Sequence, residues 1–558
     1  MVLSKKGVSM EVINRLKRVY TKSTTVVVVN NVHGKAFPNN RGSLRQGDVP
    51  SMFWFAAGID PLLFYLEKRL VGIPITKLPV LGPTLQTDLS ASLPPIEQVY
   101  KVVAYADDVK PSITTMQEFL LVDEACSLLE RASGVKLHRD PAAGKVKFLA
   151  LGRWRGSLTQ EDIPHQYIQL SDHLDFVGVE LRSTFIQTRK VNGEQLQSKI
   201  KNTIGPWKAG RFMPITLRPF SANTYAMSKV WFKCSSINLR AQDISTINSQ
   251  VKSWLYQDCL EKPGELVLYR HSEDGGLGLL NVKVRALALL IRSFLETAIN
   301  PSFRHSLYHE MLFRYHVLDE SSLPNPGFPP FYDSEFFKTI QHYHLNSPLN
   351  VGVMTTRQWY RILLEDQVLQ SPATDQSPAK IISLRVENLS PETDWPLTWS
   401  LARTQGLDSE LTSFLFKLLH GLLPTQDRVT RFGLAGPNQG VCQLCLLEVE
   451  DQVHAFFSCP KSMLAGLALL GYVQTCVPNL SPESALKLDL GSELSEQKVL
   501  ATVCVLATGL KYIWQARQDK KQVATFRIRA EIEAIISILR KTRHREAGDH
   551  MMEMININ

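Results

Sequence analysis

Residues 101–110 read KVVAYADDVK, an apolar run that leads straight into two adjacent carboxylates, Asp107 and Asp108. Val102, Val103, Ala104 and Tyr105 are too continuously apolar for a strand with one wet face, so a central place in a sheet is expected. The short apolar segment after the acids completes a β-hairpin with the acids at its turn. Two acids at the end of a buried strand are costly unless a cation sits on them. Mg²⁺ suits such a place, because it takes few carboxylates and keeps waters and phosphate oxygens. A pair of such ions about 3.5–4 Å apart can activate a hydroxyl and stabilise a leaving pyrophosphate. A solvated Asp-Asp turn is the alternative reading. Metal-assisted phosphoryl transfer draws carboxylates from more than one strand, so a partner acid is expected elsewhere.

The 558 residues suffice for several domains. Hydrophobic content of 44% and charged content of 21% are ordinary for a soluble globular protein. A net charge of +9 favours a polyanionic partner only weakly at this length. Eight scattered cysteines make no disulfide framework, and the first twenty residues hold no signal-peptide core. Apolar runs such as 464–473 are too short to span a bilayer. An intracellular protein, nuclear or cytoplasmic, with no membrane partner is expected.

Along the chain, Val12, Ile13, Leu16 and Val19 give residues 8–20 a helical spacing, and Thr24–Val29 is a β-branched strand before a turn at NNVHGK. Asp48 and Pro50 start an apolar helix. A Pro-rich loop at 75–98 precedes the acidic hairpin, and a helix comes after it over 115–133. The chain mixes strands and helices to about residue 182 and then turns helical. Pro-rich stretches at 323–332 and 371–380 mark connections.

Four elements occur in order: RGSLRQGDVPS before an apolar helix, AYADD, SGVKLHRDPAAGKVKFLALG, and HLDFVGVEL. This series resembles the reverse transcriptase palm of LINE-type non-LTR retrotransposons, read from its middle onward. The resemblance covers residues 1 to about 300 and implies an RNA-directed DNA polymerase acting on an RNA template, a DNA primer and dNTPs. It implies that Asp107 and Asp108 hold two Mg²⁺ or Mn²⁺ ions, with Asp107 the stronger ligand. Gly42, Arg45, Gln46, Gly47, Pro50 and Ser51 match the segment that meets template and nucleotide, as Tyr105 and Ala106 match the hairpin beside it. Glycine there lets backbone approach a base pair, although a plain strand-to-helix turn needs the same residues. Lys145 or Lys147 would lie near the triphosphate. Phe176, Val177 and Gly178 match the hairpin that grips the primer end. Asp48 stands where the family has a small residue, and helix capping explains it better than metal binding. No segment like the family's first palm aspartate strand is found, so these residues are expected to begin after it, after the fingers and after the endonuclease.

Cys442, Cys445, His454 and Cys459 form C-x2-C-x8-H-x4-C, a donor set and spacing suited to tetrahedral Zn²⁺. A structural role is expected because protein fills all four positions. The alternative is three buried thiols and a capped histidine. A retroviral knuckle has a shorter gap before its histidine; the LINE proteins carry a comparable module beyond the polymerase, which implies RNA binding. The remaining cysteines read as core thiols. Residues 189–211 carry six Lys/Arg and one Glu, which suits a thumb helix that neutralises phosphates, or a solvated helix face. The tail from Lys511 to Arg545 has ten Lys/Arg against three acids, with Ile532, Ile535, Ile536 and Leu539 as an apolar stripe. An amphipathic helix with a solvated basic side fits it, as does an RNA contact or an import signal.

The expected fold is α+β: a partial right-hand palm with an antiparallel sheet over 1–182, a thumb-like region over 183–300, a connecting region over 301–397, a helix with the zinc module over 398–462, and a basic helical end over 463–558. Two functions are compatible with it. One is a reverse transcriptase whose activity in this chain is doubtful without the first aspartate strand. The other is a non-catalytic nucleic-acid-binding remnant of such an element.

Overall fold

The helical spacing at 8–20 becomes α1 (Met10–Thr21), with Ile13 on its buried side. The structure, a computed structural model, describes residues 2–5, 7–21, 24–25, 28–29, 32–33, 37–38, 51–74, 99–105, 108–134, 137–209, 213–257, 264–299, 334–346, 354–366, 393–404, 406–433, 440–491, 494–521 and 523–556. The expected Pro-rich segments at 75–98, 323–332 and 371–380 lie outside these residues. The protein is mixed α+β, mostly helical, with small sheets. It divides into two compact units, Met1–Asn192 with Arg304–Asp333, and Gly193–Phe303 with Ser334–Asn558. That division is coarser than the five expected segments.

In the first unit the β-branched run folds back on the next few residues in antiparallel pairs. Thr24–Thr25 meets Phe37–Pro38 and Val28–Val29 meets Val32–His33. The apolar helix is α2 (Ser51–Arg69). Its Leu62 and Leu66, four residues apart, share one face and pack with Leu70 against Ala125 of α3 (Gln117–Ser133). Val102 of β1 (Val102–Tyr105) and Val109 of β2 (Asp108–Pro111) close this small core. Helix α3 stops where Gly134 takes a left-handed φ of 75° and its amide returns to the Glu130 carbonyl.

The expectation of a central strand needs correction. Among the described residues β1 pairs with β2 alone, and its side chains alternate, with Val103 and Tyr105 exposed. One face covers helices and the other meets solvent, so an all-apolar strand here is half wet. Beyond it, β3 (Val146–Leu149) pairs in parallel with β4 (Ile168–Ser171), and β5 (His173–Phe176) pairs antiparallel with β6 (Val179–Arg182).

A buried carboxylate fixes the start of α3. Glu118 accepts from the amides of Val71 and Thr114, each at 2.6 Å, from the Thr115 amide at 3.1 Å and from the Thr114 hydroxyl at 2.9 Å. Burial pushes its pKa up, and these four donors outweigh that and hold it below the usual range.

In the second unit α4 (Phe185–Ala209) buries Leu196, Ile200 and Ile204 in one stripe, leaving Lys199, Lys201 and Lys208 exposed. Helix α5 (Val282–Ile299) comes after a tight turn, as the DGGLGLL glycines suggest. Gly275 has φ +79°, and a Cβ there would stand 2.4 Å from the Trp399 ring. Trp399 belongs to α6 (Trp395–Leu401) and stacks between Trp395 and His420, with ring centroids 5.2 and 4.6 Å away. His420 ends α7 (Ser409–Leu419) and donates from Nε2 to the Gly275 carbonyl at 2.7 Å.

The main core gathers around α8 (Met463–Gln474), α9 (Glu496–Gln518), α10 (Thr525–Leu539) and α11 (Arg545–Asn556). Helix α9 packs on the other three. Gly509 lets it approach α8, since a Cβ would lie 2.5 Å from Leu469. Among the described residues α9 alone is long and apolar enough to cross a membrane, and most of it is buried in this core. The stripe on α10 is buried at Ile532, Ile536 and Leu539, with Ile535 packed beside them.

Candidate functional site

The Cys/His segment is built by a turn and a wide helical loop. Val441 and Val449 form an antiparallel bridge, and the Cys442 amide donates to the Glu448 carbonyl at 2.8 Å. Between them the chain doubles back, with Leu446 at φ 60°. Cys442 accepts from the backbone at Leu444 and Cys445, and Cys445 accepts from the backbone at Leu447 and Glu448. Amides pointed at sulfur favour thiolate.

The second pair comes from a π-helical turn, His454–Ser458. The Cys459 amide donates to the His454 carbonyl at 2.8 Å, so the turn closes on the fifth residue and brings both side chains to one side. The His454 amide donates to Asp451 Oδ1 at 2.7 Å, which fixes the start of the turn.

All four ligand atoms lie within 4.8 Å of one another. Cys442 Sγ and Cys459 Sγ are 3.8 Å apart, and Cys445 Sγ is 3.3 Å from His454 Nε2. Zinc with Zn–S bonds of about 2.3 Å has sulfur–sulfur edges of about 3.8 Å in a tetrahedron. The donor set and its spacing therefore fit Zn²⁺. The Nδ1 of His454 faces Glu448 Oε2 at 3.1 Å, which leaves Nε2 for the metal. Burial pushes Cys442 up to about 11; at Cys445 burial pushes the same way, but the backbone donors, Cys442 and His454 outweigh it and bring the thiol down to about 7.

The residues around the centre were not legible in its spacing. Arg517 of α9 is buried and donates from Nη2 to Cys442 Sγ at 3.2 Å and to Glu450 Oε2 at 2.5 Å. It also reaches Cys459, and Ser462 Oγ at 3.5 Å. The available signal was a lone arginine after the apolar run of α9. Cys234 and Cys504 are core thiols as expected, Cys126 and Cys476 are half-buried, and Cys259 lies outside the described residues.

The acidic hairpin is set by its register. Tyr105 pairs with Asp108, which leaves two residues between the strands. Those two, Ala106 and Asp107, lie outside the described residues, as do Gly42, Arg45, Gln46, Gly47, Asp48 and Pro50. Ser51 opens α2. The Asp108 carboxylate is exposed, 3.4 Å from Lys110 Nζ. Lys110 Nζ also sits 5.9 Å from the centre of the Phe176 ring. One lysine thus links the acidic hairpin to the β5–β6 hairpin.

That second hairpin turns on two residues, since Phe176 pairs with Val179. Val177 and Gly178 have φ of 48° and 77°, both in the left-handed region that tight hairpin turns demand. Glycine adopts it freely, whereas a β-branched residue there is strained. Lys147 Nζ lies 3.1 Å from His173 Nε2, and Lys145 is exposed.

No family model matches the chain, and no curated protein matches it.

Proposed function

We propose that the chain is a LINE-like reverse transcriptase body, acting in RNA-templated addition of deoxynucleotides to a DNA 3′-end. The observation that carries this reading is the link through Lys110, which joins Asp108 to Phe176. In a polymerase the acids must stand beside the group that holds the primer end, and this link gives the two hairpins that adjacency. Asp107 and Asp108 would hold Mg²⁺, and Phe176, Val177 and Gly178 would seat the primer terminus. Bound Mg²⁺ would lower the barrier by stabilising charge on the attacking and leaving oxygens. Residues 42–51 would position template and nucleotide. Lys145 is the better candidate for the triphosphate, because Lys147 is engaged with His173. Exposed Lys199, Lys201 and Lys208 would neutralise backbone phosphates, and the zinc-bearing segment would hold RNA. A protein that works on RNA and DNA would act in the nucleus, the cytoplasm or both.

A second reading, a nucleic-acid-binding remnant without polymerisation, is favoured by the wet outer face of β1. A carboxylate on a further strand would normally flank the acidic pair. Primer extension on poly(rA)/oligo(dT) decides between them. Extension by the wild type that Asp107→Ala abolishes supports the polymerase. No extension, with retained salt-sensitive RNA binding, supports the remnant.

A further inference from the structure

We infer that Arg517 is a positioning residue of the Cys/His centre: its guanidinium clamps the metal-bound thiolates of Cys442 and Cys459 and couples metal loading to the end of helix α9. The inference rests on these four residues holding Zn²⁺ and is independent of polymerisation.

Three thiolates and a neutral imidazole around Zn²⁺ leave one net negative charge in a buried place. A negative centre away from water needs a cation or directed donors. Backbone amides reach Cys442 and Cys445 within their own turn. Arg517 supplies a full positive charge, 3.2 Å from Cys442 Sγ and beside Cys459. Of the centre's three cysteines these two are fully inaccessible, where solvent cannot serve.

The geometry is that of a fixed fork. The two hydrogens of Nη2 divide between Cys442 and Glu450, and Nη1 reaches Ser462. Glu450 is itself buried and its amide donates to the Gly440 carbonyl at 2.9 Å, so the carboxylate that aims the guanidinium belongs to the same loop as the ligands. A planar group with several donors is suited to this task, and lysine would give charge without the fork. Arg517 lies in the last turn of α9. The metal centre therefore ties down the end of the helix around which the core is built.

The test uses the full chain with Co²⁺ or Zn²⁺ loaded. Arg517→Met should weaken zinc binding about 10–100-fold in chelator competition. It should also move the sulfur-to-cobalt charge-transfer band to longer wavelength, because a thiolate freed of its donor gives up an electron more easily. Alkylation of the loaded thiolates by iodoacetamide should be faster. Arg517→Lys should recover part of each effect, and Glu450→Gln, which keeps the guanidinium, should leave the band near its wild-type position. If the Arg517 variants fail to fold, hydrogen exchange of the wild type carries the test: chelation should raise exchange in residues 510–518. Unchanged affinity and band position in a folded Arg517 variant, or unchanged exchange on chelation, overturns the inference. A wild-type chain that takes up neither metal overturns the zinc reading itself, and this inference with it.

Discussion

The acidic hairpin and the Cys/His centre are both short motifs, and they end in opposite surroundings. Asp108 is exposed beside Lys110, with Tyr105 opposite it also exposed. Cys442, Cys459 and His454 are buried, and each is oriented by a backbone amide, a carboxylate or a guanidinium. A closed donor set suits a metal that holds a fold together. The exposed Asp108 carboxylate has no such shell of partners. The two motifs thus differ in their demands on the rest of the chain: many partners in one case, few in the other.

The sharpest way to break the contrast is to disable the closed site. Cys459→Ser, or chelation of the wild type, should cost the second unit several kcal/mol, a fraction of the ~10–16 kcal/mol apparent for small structural zinc sites. Calorimetry would show it as a lower melting temperature, and an unchanged melting temperature would remove the structural role. Asp108→Asn at the open site should leave stability within about 0.5 kcal/mol of wild type.

Acid should also separate the units. Burial pushes His420 down to about 4; its bond to the Gly275 carbonyl opposes this, and Arg270 and Arg403 reinforce it. The unfolded chain takes up this proton near pH 6.5, and the folded chain only near 4. Stability from the neutral ring is therefore complete above pH 6.5 and is lost as pH falls toward about 4, by roughly 3 kcal/mol. Urea midpoints across that range should slope steeply for the wild type and less for His420→Phe, which keeps a ring against Trp399.

In the first unit, Glu118→Gln puts an amide group among four donors and should cost about 1–3 kcal/mol, read from urea unfolding. The wild-type carboxylate, held below its usual pKa, contributes stability above the unfolded value that is lost as pH falls through the folded one. A small gain in stability should come from Val177→Asn. Asparagine tolerates the left-handed turn, so the variant should gain up to about 1 kcal/mol. A loss there would mean that Val177 packing outweighs its backbone strain.

What was legible in the sequence was local. The helix expected over 115–133 is found at Gln117–Ser133, and the C-x2-C-x8-H-x4-C spacing converges on one point. Both depend on periodicity or short gaps that the backbone turns directly into proximity. The wet face of β1 was missed because an apolar run looks the same whether one side or both are covered. Arg517 was missed because its partners lie far off in sequence, and no spacing rule joins a helix end to a distant thiol. The length of α9 is hard to read because Thr502, Thr508 and Gly509 interrupt its apolar pattern, although all three are buried. The palm reading is of another kind, since it rests on an ordered resemblance.

The separation of Arg517 from its thiols also has a consequence in time. Arg517 comes 75 residues after Cys442. A ribosome adding ~5–20 residues per second takes roughly 4–15 s to cover that interval. All four ligands, the last of them Cys459, are thus made seconds before the cation that faces them, and a metal held by them would meet them while α9 is still being synthesised. The order of synthesis favours loading first and locking afterwards, so a cell short of zinc during those seconds would close the helix over bare thiols.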